Sequence, residues 1–504
     1  MKAHPSLKTS YIQSFRFQFE SGSFPARDFK LETCISATLA REPEKKRALS
    51  GWLWKFEQSF FQFTIMGAEM HPDPQFADAI KRYAQDAGFD LCGIVSALDE
   101  TTPPELEYFQ RWIAEGQAGE MEYLKSRNDQ GELKRAALRN AVPWVKSVVV
   151  CAMNYNANQP YSTKMSDPER GWISRYAWFQ SSKSAGAKES SVASESGKTT
   201  ADYHHAVLHR LRKVEAEIQR SWKASEVWRR YEDFGPSGAR TGHPGEELQT
   251  RCYVDTGPIV ERVYAKYAGI GWIGKNTCII NEKLGSWLFL GVILTSLDAS
   301  QLGFTPRDGS NGGTQELPFD LPAADRCGSC TRCIDACPTG ALTAPYKMDA
   351  RKCIAYLTIE KRGEIPQELR EQMGHHVFGC DICQDVCPWN IGYKRNEDSN
   401  GHEAQNGAHR APTTNAAEFE ARSDLVHPAL RWLANMTPEE FNSVFRASPI
   451  QRTKYEGMRR NAAIAMGNSG NPEFIPDLEK LAQDSNAIVA EHARWALTKL
   501  FALH

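Results

Sequence analysis

The apolar positions fall into three regimes along the chain. From Phe76 they recur at Ile80, Tyr83, Ala84 and Ala87, the spacing of one helix face, with Asp73-Pro74 ahead as a start signal and Gly88 behind as a stop. Short unbroken runs follow at Leu91 to Val95, Val148 to Met153 and Leu288 to Thr295. These predict buried strands. Helical patterns separate them, chiefly around His204 to Trp222, so the pattern predicts an α/β or α+β domain over residues 71–320. Residues 1–70 keep no sustained period and read as an N-terminal extension, either a disordered tail or a mis-assigned start, since Met66 and Met70 stand just before the first regular helix. Three polar stretches read as surface insertions: Ser181 to Thr200, Gln301 to Glu316, and Asp398 to Asn415, the last inside a linker over 396–424. Beyond it, Asn461–Met466 and His492–Leu497 match thirty-one residues apart, with Phe474, Ile475, Leu478 and Leu481 between them. Paired helices at that period predict HEAT-like repeats over 425–504. Two such units make only a small docking module.

Charge and composition narrow the function more than the fold. Lys and Arg number 60 against 62 Asp and Glu, a formal net charge of −2, which excludes a globally basic nucleic-acid binder but not a local patch. Arg446, Arg452, Lys454, Arg459 and Arg460 form such a run, interrupted by one acid, Glu456. Beside helical repeats it is a candidate grip on a phosphate backbone; alone, such a run is a solvated face. No window approaches ~18 uninterrupted apolar residues, and neither a signal-peptide core nor a twin-arginine pair opens the chain. The expectation is a cytoplasmic protein with no membrane partner.

That compartment changes how the cysteines read. Of 13, eight lie between Cys327 and Cys387, and a reducing cytosol favours metal ligation over disulfides. Cys327-x2-Cys330-x2-Cys333-x3-Cys337-Pro338 is the bacterial ferredoxin run, in which the fourth cysteine serves the neighbouring cluster. Cys380-x2-Cys383-x3-Cys387-Pro388 is a second run lacking an early ligand, which Cys353 can supply. The swap rule then gives Cys327, Cys330, Cys333 and Cys387 to one four-iron cluster, and Cys337, Cys353, Cys380 and Cys383 to the other. Two structural zinc sites are the alternative, but zinc prefers separated CxxC hooks. Cys34, Cys92, Cys151, Cys252 and Cys278 show no ligand spacing and read as small buried side chains.

Three further motifs bear on chemistry. Gly269-Ile-Gly271-Trp-Ile-Gly274-Lys275 satisfies GxGxxG, yet a helical stretch, Arg262 to Ala268, precedes it where a dinucleotide fingerprint needs a strand. It reads as a tight loop that lets backbone approach a large cofactor, or as a plain turn. Asp202-Tyr-His204 begins like the cobalamin-ligating Asp-x-His-x-x-Gly motif, but Val207 replaces the glycine, so nothing in it argues for a histidine on cobalt. In Tyr253-Val-Asp255-Thr-Gly257-Pro-Ile-Val-Glu261-Arg262 an acid stands in an apolar stretch beside a turn. Asp255 is a candidate proton donor with a raised pKa, or an Asx-turn residue.

The eight-cysteine layout, Val254-Asp255-Thr256-Gly257-Pro258, the Ala268–Asn276 loop, Gly285-Ser286-Trp287 and the repeat-like tail, in that order, resemble the epoxyqueuosine reductase family. The resemblance covers residues 71–395 closely and 425–504 more loosely. It implies a cobalamin-binding catalytic domain over 71–320, a ferredoxin-like domain with two [4Fe-4S] clusters over 321–395, and a tail that docks tRNA. The implied reaction removes the epoxide oxygen of epoxyqueuosine at the wobble position of the anticodon, the last step in making queuosine. The family's proton donor falls on Asp255, and its cobalamin contacts fall on Arg135, Ser174, Asp255, Lys275, Asn276, Gly379 and Asp381. The implied partners are the tRNA and an unidentified low-potential electron donor, with a monomer compatible. The rival readings are a cytosolic corrinoid-dependent reductive dehalogenase, which shares the cysteine pattern, and an iron–sulfur electron-transfer adaptor.

Overall fold

The computed structural model describes residues 76–97, 103–179, 202–232, 247–299, 301–303, 320–392 and 410–503; the N-terminal extension and the 181–200 insertion lie outside them. The strands are β1 Leu91–Ser96, β2 Ser147–Asn154, β3 Trp172–Ile173, β4 Thr250–Tyr253, β5 Trp272–Ile273, β6 Ile279–Ile280, β7 Leu288–Thr295 and β8 His376–Phe378. Four of them form a sheet in the order β1-β2-β7-β4, with every neighbouring pair antiparallel. The three apolar runs are therefore strands. An antiparallel sheet makes the domain α+β rather than a parallel α/β fold.

β2 reads Ser-Val-Val-Val-Cys-Ala-Met-Asn and is buried at every position because helices cover both faces of the sheet. Val149, Cys151 and Met153 pack with Ile80 and Ala84 of α1 (Phe76–Asp86) and with Val207 and Leu211 of α3 (Tyr203–Glu232). Val148, Val150 and Ala152 turn the other way, toward Leu106 of α2 (Pro104–Ala114) and Val263 and Tyr264 of α4 (Glu261–Tyr267). The period of two along the strand sorts one apolar run into two cores. Gly93 in β1 lets the chain leaving α4 come close: a Cβ there would stand 1.9 Å from the Ala268 carbonyl oxygen.

The cysteine-rich segment leaves from this sheet's edge. The Asp320 carboxylate accepts hydrogen bonds from Lys81 Nζ and the Ile94 amide, both at 2.7 Å, and the Asp320 amide donates to the Ile94 carbonyl at 3.1 Å. The segment carries short helices: α5 Arg332–Asp335, α6 Ile354–Ile359, α7 Gln367–Arg370, α8 Ile382–Asp385 and α9 Pro388–Ile391. Its strand β8 pairs in parallel with β3, stitching it to the sheet domain.

Five helices close the chain: α10 Leu430–Asn435, α11 Pro438–Val444, α12 Lys454–Ser469, α13 Ile475–Leu481 and α14 Ala487–Leu503. The matched segments lie on α12 and α14, which pack against each other. They do more than dock. Met458, Ala462, Ala493 and Leu500 share one core with Trp172, Trp178 and Phe378. The buried Asn461 amide donates to the carbonyls of Thr358 (2.9 Å) and Val377 (2.8 Å), while His492 Nε2 accepts from the Ile365 amide at 3.1 Å. A buried polar group left without a partner costs about 1–3 kcal/mol, so these bonds fix how the tail seats on the cysteine segment.

Two stretches read as surface insertions are in part packed. Leu302 is fully buried and its carbonyl accepts from the Ala77 amide at 3.1 Å. Ala411 and Phe419, expected in the linker, join the core around Phe289, and the Ala411 carbonyl accepts from Asn156 Nδ2 at 3.1 Å. Single apolar anchors inside polar stretches vanish in a composition average. Among the described residues no helix is long and apolar enough to cross a membrane.

Candidate active site and metal centres

The two cysteine runs fold alike. In each, a turn leads into a single helical turn bearing a thiol: Cys333, the third of the first run, on α5 and Cys383, the second of the other, on α8. Cys353 stands as the residue before α6 and Cys387 as the residue before α9. All eight thiols are free, and all are at least partly withdrawn from solvent. Cys333 feels Cys327 and Cys330, and Cys387 feels Cys327 and Cys333. Cys380 feels Cys353 and Cys337, and Cys383 feels Cys380 and Cys353. Burial pushes Cys333 up to about 11 and Cys387 up to about 12. Trp272, Ile280 and Trp389 form an apolar wall around Cys327 and Cys387. Among the described residues no three His, Cys, Asp or Glu converge as a single bound ion requires.

Asp255 lines a cleft of ≈ 350 Å³ between the sheet and the cysteine segment, with its side chain 45% exposed. It follows β4 in a turn with φ 55°, a conformation that lifts its carboxyl out of the strand direction. Arg135 pins this turn: Nη2 donates to the Gly257 carbonyl at 2.8 Å, and Nη1 to the Tyr123 carbonyl at 2.5 Å. Tyr203 donates its hydroxyl to Asp255 Oδ2, and His204 Nε2 lies 3.6 Å from the same oxygen. His204 Nδ1 is held in turn by Asp202. The Tyr203 ring stacks on Phe289 with centroids 4.2 Å apart and planes 2° from parallel, which fixes the hydroxyl. Glu261, Cys278, Ser286, Gln384 and Arg452 also line the cleft. Burial, then the Asp255 charge, pushes the Glu261 carboxyl up to about 8.

Cys278 and Gln384, the residue after Cys383, carry the cleft lining to the second cysteine run. Gln384 on α8, one residue past Cys383, donates to the Ser286 carbonyl (2.9 Å) and to Ser286 Oγ (3.0 Å). The neighbouring Cys383 draws the Cys278 thiol below its ordinary value. The fifth cysteine of the non-ligand set is thus no ordinary core filler.

The remaining expected contacts fall in two places. Lys275 Nζ donates to the carbonyls of Gly328 (2.6 Å) and Cys330 (3.0 Å), so its ammonium is committed to the first cysteine loop. Asn276 beside it donates to the Cys383 carbonyl at 3.4 Å. Ser174, Gly379 and Asp381 form one buried knot on the β3–β8 seam. Gly379 has φ 71°, and a Cβ there would lie 2.1 Å from Ser174 Oγ. Asp381 Oδ2 accepts from Trp172 Nε1 (3.1 Å) and the Arg175 amide (2.8 Å).

The basic run does not form one patch. Arg460 is buried and donates to the carbonyls of Lys361, Gly363 and Leu357, and Arg459 pairs with Asp484 at 2.6 Å. Arg452 instead turns to the cleft mouth, held by Glu360 at 2.7 Å, with its guanidinium 6.0 Å from the exposed Tyr123 ring. Sequence reasoning missed Tyr203, His204, Glu261 and the inward turn of Arg452. The signal for the first two was the Asp-Tyr-His segment, set aside because Val207 broke a different motif. Glu261 stood in the same string as Asp255 without a role.

Two ferredoxin-type cysteine runs, the second beside an acid-lined cleft, place electron storage next to carboxyl groups. That defines the class: an iron–sulfur oxidoreductase. A family model described as "4Fe-4S double cluster binding domain" matches residues 326–390, and one described as "Epoxyqueuosine reductase QueG, DUF1730" matches residues 135–256. The chain is 34% identical over 432 residues to the epoxyqueuosine reductase of Xanthomonas campestris pv. campestris, covering 85% of this chain and 97% of that one. It is 30% identical to the Escherichia coli enzyme, covering 84% and 89%. A crystal structure of epoxyqueuosine reductase with a tRNA-Tyr epoxyqueuosine-modified stem loop superposes with a TM-score of 0.59 at 25% identity, covering 84% of this chain and 90% of that one. The chain belongs to the epoxyqueuosine reductase family.

Proposed function

We propose that this protein reduces epoxyqueuosine to queuosine at the wobble position of a tRNA anticodon, with cobalamin and two [4Fe-4S] clusters. The observation that carries the reading is Asp255, oriented by Tyr203 and His204 in a cleft whose lining reaches the second cysteine run. The ligand sets proposed are Cys327, Cys330, Cys333 and Cys387 for one cluster, and Cys337, Cys353, Cys380 and Cys383 for the other. Eight buried or half-buried free thiols suit this: a cluster supplies the positive charge that lets them ionise.

The residues present also suit a corrinoid. Gln384 lines the Asp255 cleft, and the next residue, Asp385, lines a second cleft of ≈ 970 Å³. There the Tyr161 hydroxyl and Asp385 Oδ1 are buried with no protein partner. An amide-fringed cofactor would satisfy both. Arg135, Asn276, Ser174 and Gly379 are the contacts proposed from the family. Lys275 and Asp381 would act through the loop and seam they hold.

The chemistry cobalamin supplies when bound is delivery of electrons to an epoxide carbon. This chain's residues do the rest. The Asp255 carboxyl presents a proton to the oxygen released as the C–O bond opens, sparing departure of an alkoxide. Tyr203 and His204 hold that carboxyl toward the cleft, and Asp202 fixes the His204 ring. The HEAT-like pairing of α12 and α14 would carry Arg452 to the mouth, where a nucleotide phosphate passes. Replacing Asp255 with Asn tests the reading. The variant should keep both clusters and cobalamin by absorbance yet lose on the order of 10²-fold or more in turnover; full turnover would contradict the role.

A further inference from the structure

Turning an epoxide into an alkene and water breaks two C–O bonds and consumes two electrons and two protons. On the reading above, Asp255 delivers one proton, and the second has no source. His204 touches Asp255 but does not line the cleft, so it serves Asp255 rather than the substrate. Burial raises the hydroxyls of Tyr155, Tyr176 and Tyr203, which makes them still weaker acids. Arg262 and Arg452 hold their protons permanently. Cys278 is engaged with Cys383.

Glu261 remains. It opens α4 at the end of the turn that carries Asp255, lines the same cleft, and buries Oε1 with no hydrogen-bond partner among the described residues. We propose that Glu261 is the second acid of the reaction. Asp255 protonates the alkoxide as the first C–O bond breaks. Glu261 protonates hydroxide as the second breaks, and water leaves. The electron pair comes from the low-potential donor through the clusters, and the alkene keeps it. Glu261 is suited to the second step because burial, together with the charge Asp255 carries once it has given up its proton, outweighs the opposing Arg135 and Arg262 charges and keeps the carboxyl neutral up to about pH 8.

The inference rests on the epoxide reading, and its test separates the two. Reconstituted wild type, Glu261→Gln and Glu261→Asp would be compared anaerobically on an epoxyqueuosine-containing stem loop from pH 5.5 to 9.5. Expected for Glu261→Gln are wild-type iron content and KM, kcat lower on the order of 10²-fold, loss of the alkaline limb, and partial rescue by Asp. A second readout needs no turnover. Glu261 ionises later in the folded protein than in the unfolded chain, so wild-type stability falls as pH rises from about 4.5 toward about 8. In Glu261→Gln that decline should be shallower. An unchanged kcat and alkaline limb, or equal thermal profiles, overturns the proposal while wild-type conversion leaves Asp255 standing. A wild type that converts nothing overturns both.

Discussion

Arg452 and Arg460 stand one helical turn and a cap apart and do opposite work. Arg460 spends its guanidinium on three backbone carbonyls under the tail, and burial draws its pKa down to about 10. Arg452 stays half in solvent at the cleft mouth beside Tyr123. Arg460→Ala should therefore cost roughly 3 kcal/mol by leaving those carbonyls bare, seen in denaturant melts. Arg452→Ala should cost under about 1 kcal/mol, since its pair with Glu360 is partly exposed, yet raise KM for the stem loop about tenfold. Equal stability losses in the two variants would contradict the division. The sequence shows five basic residues between positions 446 and 460 and no means of sorting them, because Arg460 is sorted by carbonyls about a hundred residues away. Asp255 was legible as a candidate from its apolar neighbours. Tyr203 and His204 were not, since α3 brings them to Asp255 only in three dimensions.

At the scale of elements, legibility follows burial. β2 and β7 are apolar along their middles because both faces are covered, and their runs announce them. β4 is an edge strand reading Thr-Arg-Cys-Tyr, half exposed and polar, and no run marks it. The cysteine runs were legible because ligand spacing is local to a turn and one helical turn. Cys353 is different: it stands before α6, apart from either run, and is proposed to complete the second ligand set. Cys353→Ala should drop iron from about eight to about four per chain while the other cluster persists. Retention of about eight would mean that another group closes that site.

For the whole molecule, the tail is part of the core, and pH should report how it is held. His492 is buried, Nδ1 donates to the Ile488 carbonyl at 2.7 Å, and Nε2 accepts from Ile365. Burial draws its pKa to about 4, as it does for His376. The unfolded chain takes up these protons near pH 6.5 and the folded one does not, so stability is lost as pH falls from about 6.5 to about 4. Thermal midpoints should decline across that window, less steeply in His492→Gln; a flat profile would contradict the buried neutral ring. The account's central claim is that cleft, thiol groups and tail together make one tRNA-directed epoxide reductase. Its most direct test is anaerobic. The protein is reconstituted with iron, sulfide and cobalamin, incubated with epoxyqueuosine-containing tRNA and a strong reductant, and the nucleosides are weighed by mass spectrometry. Loss of one oxygen to give queuosine is the predicted result. Unaltered epoxyqueuosine, from protein holding both clusters and one cobalamin per chain, would contradict it.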